Sequence, residues 1–85
     1  MHTKWTANAL RELMEIQDEI GKDNPFRAFR VAAGINEQIE KLKLMPELGG
    51  AGRVDQTREL LICDGAYVVV FRMTGDVEIL ALRVN

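Results

Sequence analysis

Residues 57–84 read TRELLICDGAYVVVFRMTGDVEILALRV, and the fold turns on how this stretch divides. Asp64-Gly65 is a strong tight-hairpin signal, because both residue types tolerate the positive φ that a two-residue turn demands. It ends a strand over Thr57 to Cys63 and opens another over Ala66 to Met73. The run Tyr67-Val68-Val69-Val70-Phe71 is too β-branched and too evenly apolar for a solvent-facing edge, so it reads as the central strand. Thr74-Gly75-Asp76 turns the chain again, and Val77 to Val84 is the last strand. The expectation is a three-stranded antiparallel meander, with His2–Trp5 as a candidate fourth strand.

Upstream the hydrophobic period changes from two to 3.6, and residues 6–45 read as helices. Thr6 is the expected N-cap of the first. Leu10, Leu13, Ile16, Gln17 and Ile20 then recur at three- and four-residue steps, while Glu12, Glu15, Asp18 and Glu19 mark a solvated face. Gly21 suits a left-handed C-terminal position. Asn24 before Pro25 is a second start signal, an N-cap followed by proline where its missing N–H costs nothing. Ala28, Ala32, Ile35, Ile39 and Leu42 form the inward stripe of this helix, widened by Phe29 and Val31. Gly34 is read as a place where the first helix approaches closely, and Met14, Met45 and Met73 as core filler. Only Gly21 to Asn24 joins the two helices, so they fold back as an antiparallel hairpin. Pro46 stops the helical part, and PELGGAGRVDQ, residues 46–56, is a glycine-rich connection. The fold class is therefore α+β: an N-terminal helical hairpin packed on a C-terminal three- to four-stranded antiparallel sheet.

Length and composition bound what such a chain does. Eighty-five residues are one small domain, with 47% hydrophobic and 28% charged residues, the balance of a globular chain. A net charge of −2 argues against coating nucleic acid by bulk charge. One cysteine, Cys63, makes no internal disulfide and no thiolate metal cluster, and no carboxylate pair has ligand spacing with a histidine. No metal and no cofactor is expected. No apolar run approaches the roughly 20 residues of a membrane helix, nor is there an apolar signal core, so a cytoplasmic location is expected.

The basic residues after Lys43 are all arginines: Arg53, Arg58, Arg72 and Arg83. A planar guanidinium suits phosphate or carboxylate better than an ammonium point charge. By strand alternation Arg58 shares a face with Leu60 and Ile62, Arg72 with Val68 and Val70, and Arg83 with Ile79 and Ala81. In a simple register they converge on one side of the sheet. The competing reading is a set of strand-end charges paired with Asp55, Glu59 or Glu78. The single histidine, His2, lies at the N-terminus, where acid–base chemistry has no positioned group. Tyr67 reads as a core-edge tyrosine and Cys63 as a partly buried, inert thiol.

Taken together, WTANALRELMEI, DNPFRAFRVAAGINEQIEKL, PELGGAGRVDQTRELLI and YVVVFRMTGDVEILALR resemble, in order and spacing, the RelE/ParE superfamily of bacterial toxin–antitoxin modules, over nearly the whole chain. The resemblance implies a single toxin domain over residues 1–85, bound by a cognate antitoxin in a heteromeric complex. It also implies one of two targets: DNA gyrase for ParE-like members, or messenger RNA on the ribosome for RelE-like endoribonucleases. It matches Arg58, Arg72 and Arg83 to family arginines on the second, third and last strands; with the loop's Arg53 these are the expected target-binding residues, and the apolar Leu10, Leu13 and Phe29 are the positions expected to receive the antitoxin. Many members carry a histidine after the last-strand arginine. Val84 and Asn85 stand there in this chain, which favours the ParE-like branch and leaves an attenuated, antitoxin-binding fold as a further alternative.

Overall fold

The computed structural model describes residues 1–85. The chain runs β1 (Thr3–Trp5), α1 (Ala7–Gly21), α2 (Pro25–Glu40), β2 (Gly50–Ala51), β3 (Arg58–Ile62), β4 (Tyr67–Met73) and β5 (Val77–Val84), with 3₁₀ turns at Lys41–Lys43 and Pro46–Leu48. The α+β reading holds, with a helical hairpin over a sheet whose order is β1-β5-β4-β3-β2.

Both helix starts follow the local signals. The Thr6 side chain accepts from Ala9 N, and Asn24 accepts from Arg27 N with Pro25 behind it. Gly21 departs from expectation: it lies inside α1, and the chain leaves the helix through Lys22 in a right-handed conformation. Gly34 also departs, since a Cβ added there meets nothing within 4 Å. The inward stripe of α2 is Ala28, Ile35 and Ile39, with Leu42 just beyond it, all buried. Phe29 points away and is 69% exposed. Met14 and Met45 are exposed rather than core filler, and Met73 is partly buried against the core.

The Asp64-Gly65 hairpin closes as expected through Ala66 N–H to Cys63 O at 3.1 Å, with positive φ at both turn residues. Cys63 also takes a left-handed φ of 54°, which its side chain does not announce. The central strand β4 is antiparallel to β3 and β5, and Val69 and Phe71 are fully buried. Two edges differ from a plain meander. β1 lies beside β5 and is parallel to it, pairing Thr3 with Val77 and Trp5 with Ile79. β2, two residues of the glycine loop, pairs with β3. The sheet is thus five-stranded and mixed. A two-residue glycine strand has no side-chain pattern to betray it, and strand direction at an edge is set by long-range pairing.

Two loop glycines are required by packing. A Cβ on Gly49 falls 2.6 Å from Phe71 Cε1 and nearer still to Cζ, and one on Gly52 collides with Thr57 Oγ1. The loop is thereby pressed onto the sheet and closed by Gly52 N–H to Thr57 O at 2.9 Å.

Candidate functional site

Three of the four arginines singled out by sequence, Arg53, Arg72 and Arg83, come to the outer side of the sheet, and Arg58 does not. Arg58 pairs across the ladder with Phe71, so it lies on the core-facing side with Leu60 and Ile62, as alternation requires. Its Nη1 donates to Pro46 O at 3.2 Å, tying the loop to β3. Arg72 stands on the outer side, opposite Glu78, with Nε 2.6 Å from Oε1. Arg83 is also on the outer side, opposite Val68, and its Nη2 reaches across β4 to within 3.8 Å of Glu59 Oε2. Arg53 comes from the loop to the same carboxylate: its backbone N–H donates to Oε2 at 3.0 Å, and Nε lies 3.9 Å from Oε1.

Two features of the ladder set Arg58 apart from Arg72 and Arg83. Arg58 and Arg72 differ in parity relative to the β3–β4 register, which turns them to opposite faces. In β5 the ladder jumps from Val70↔Ala81 to Phe71↔Ile79, leaving Leu80 as a bulge. Ile79 is therefore in the core while Ala81 and Arg83 face out, so Arg83 does not share a face with Ile79. Arg53, Arg72 and Arg83 sit in pairs at exposed positions, where each contributes about 0–1 kcal/mol.

The positions assigned to an antitoxin divide as well. Leu10 is 46% exposed on α1, Leu13 is partly buried against the core, and Phe29 stands out from α2. Met14 and Phe26 are exposed on the same hairpin.

Several residues act in ways that composition and spacing missed. Glu12, read as part of a solvated face, is a bracket on the sheet: its Oε1 accepts from Leu82 N at 3.1 Å and from Asn8 Nδ2 at 2.9 Å. Asn8 Nδ2 and Thr6 Oγ1 both donate to Leu80 O, at 3.1 and 3.3 Å. These three side chains satisfy β5 beyond the short reach of β1. The i, i+4 spacing of Asn8 and Glu12 was the visible signal. Gln38 is a second tie, accepting from Cys63 N at 3.2 Å and donating to Gly34 O at 3.2 Å. Burial pushes the Cys63 thiol above its ordinary range, the state of an unreactive cysteine. His2 donates its backbone N–H to Asp76 Oδ1 at 2.9 Å. With Lys4 at 3.1 Å, that bond holds the Asp76 carboxyl below the usual carboxylate range. Tyr67 is partly buried against the core. No three His, Cys, Asp or Glu side chains are grouped to hold a metal ion, and no helix is long and apolar enough to cross a membrane.

Along α2 a different set stands out. Phe26 and Phe29 are each 69% exposed, Arg27 and Arg30 are exposed between them, and a cleft of about 430 Å³ runs from Phe26 past Arg30 and Gly34 to Cys63.

Known proteins share this architecture. The family model described as the ParE toxin of type II toxin-antitoxin system, parDE, matches residues 3–85. Among curated proteins, "Putative toxin Y4kP" of Sinorhizobium fredii is 43% identical over 79 residues, 93% of this chain and 82% of that protein. Among solved structures, a chain of the chromosomal ParDE TA system from P. aeruginosa superposes with a TM-score of 0.87 at 28% identity, covering 100% of this chain and 97% of that one.

Proposed function

The chain belongs to the ParE toxin family of type II toxin–antitoxin systems, and from that premise we propose that it inhibits DNA gyrase in the cytoplasm and is held inactive by a cognate antitoxin. The observation that carries the reading is the likeness to a chain of a ParDE system over 100% of this chain and 97% of that one. Residues 1–85 act here as one toxin domain that works by binding, without a cofactor.

The internal geometry supports the gyrase branch over ribosome-dependent RNA cleavage. Cleavage needs several cations and a proton carrier gathered around one phosphate. Here Arg58 lies on the opposite face of the sheet from Arg72 and Arg83, and both of the latter are paired with glutamates. The antitoxin's seat is the apolar surface of the hairpin, with Leu10 and Phe29 as exposed anchors and Leu13 partly buried against the core. Burying such side chains contributes roughly 25 cal/mol per Å² of apolar area.

A supercoiling assay with purified gyrase tests the first half. The expected outcome is concentration-dependent loss of supercoiled product, reversed by co-purified antitoxin. Full supercoiling at a large excess of this protein removes the reading, and messenger cleavage in a translation reaction replaces it with the ribosomal one.

A further inference from the structure

We propose that the outward face of α2, built from Phe26, Arg27, Phe29 and Arg30, is the surface through which this protein grips its target, and that it receives an acidic, partly apolar protein surface. The proposal rests on the reading above, in which that target is gyrase, and it names the contact.

The charge distribution selects this face. Seven of the eleven Lys and Arg residues stand in ion pairs, and Arg58 is bonded to the Pro46 carbonyl. The remaining cations are Arg27, Arg30 and Lys41, and two of these three lie one turn apart on α2. The strand arginines already have carboxylates, so an incoming acid must compete with Glu59 or Glu78 for them. At Arg27 and Arg30 it meets no internal competitor.

Fold stability does not account for the same four residues. Arg27 is the third residue of α2, in a first turn that carries no acid. The positive end of the helix dipole disfavours a cation there. Phe26 and Phe29 leave most of their rings in water, at angles of about 100° per residue that carry them off the buried stripe of Ala28, Ile35 and Ile39. Two large aromatics interleaved with two free guanidinium groups are the residue types enriched at protein–protein contacts. The adjoining cleft gives a partner side chain somewhere to enter.

A protein partner is favoured over a nucleic acid. A polyanion backbone rewards an extended run of cations, whereas this patch holds two on a chain of net charge −2. Phe29 is shared with the seat proposed for the antitoxin, so an antitoxin covering it excludes the target directly.

The test compares three full-length proteins in gyrase supercoiling inhibition: wild type, Arg27→Glu/Arg30→Glu, and Lys41→Glu/Lys43→Glu as a control with the same charge change elsewhere. Phe26→Ala is a fourth, uncharged variant. Circular dichroism establishes that each is folded. The expected result is a rise of about tenfold or more in the concentration of the arginine variant needed for half-inhibition, and of several-fold for Phe26→Ala. The lysine control stays near wild type. Wild type that inhibits, with the arginine variant inhibiting equally well, overturns this assignment and leaves the gyrase reading standing. Wild type without effect on gyrase overturns both. Wild-type binding to linear DNA without gyrase, abolished by Arg27→Glu/Arg30→Glu, reassigns the face to nucleic acid and also overturns the proposal.

Discussion

Replacing Gly49 with alanine sets two opposed effects against each other, and the structure decides the sign. Gly49 has φ −82° and ψ 137°, an extended conformation that alanine adopts freely. On backbone grounds the substitution stabilises by about 0.4–1 kcal/mol, because the unfolded chain loses freedom. Against that, the new Cβ falls 2.6 Å from Phe71 Cε1 and also comes within 3.4 Å of Arg58 Cβ. The Phe71 ring is fully buried, so it has no open volume to swing into. Overpacking of this kind costs about 1–3 kcal/mol. The net expectation is a loss of about 1–2 kcal/mol, which in a domain of this size lowers Tm by roughly 5–15 °C. Gly50→Ala is the matched control one residue away. Its Cβ meets nothing within 4 Å, so only the unfolded-state effect operates and Tm rises by a few degrees. Thermal unfolding followed by far-UV circular dichroism reads both. A Gly49→Ala Tm equal to or above wild type refutes the claim that this loop is clamped on Phe71.

Three further outcomes follow from the edges of the sheet. Glu12→Ala leaves Leu82 N–H without its acceptor and destabilises by about 1–2 kcal/mol in urea unfolding. Glu12→Gln keeps an acceptor oxygen and recovers most of that loss, whereas equal losses in both variants would argue for charge instead of the hydrogen bond. Thr3 Oγ1 is buried without a partner, so Thr3→Val removes a desolvation cost and raises Tm by several degrees in calorimetry; a fall in Tm would reveal a hidden partner. The third outcome concerns pH. Because the folded Asp76 carboxyl is held below its unfolded value near 4, its contribution is present above that value and disappears as pH falls through the lowered folded one. Protection of the Val77 amide, which donates to His2 O, relative to its intrinsic exchange rate falls over that acid window, and Asp76→Asn flattens the dependence.

What the sequence made legible follows from the range of the interactions concerned. Thr6, Asn24-Pro25 and Asp64-Gly65 each act within three or four residues, so their residue types carried their own meaning. The buried stripe of α2 was equally plain, because period 3.6 is a local property. The parallel placement of β1 against β5 was not, since it depends on partners some seventy residues apart. Parity along a strand failed for a related reason. One bulged residue, Leu80, reverses which side chains face the core, and nothing in VEILALRV distinguishes it from a regular strand. Gathering arginines from three strands multiplies three parity assumptions; here the bulge turns Arg83 to the side of Arg72, and the β3–β4 register leaves Arg58 on the other. A helix carries no such risk over two turns, because each residue's angle is fixed by those beside it. Phe29, read from the sequence as widening the α2 stripe, stands about 100° from Ala28 and is exposed, and Arg27 at the third position of the helix departs from the dipole preference. On a helix the angles between neighbours place side chains securely, whereas on a strand one bulge far along the ladder reverses them.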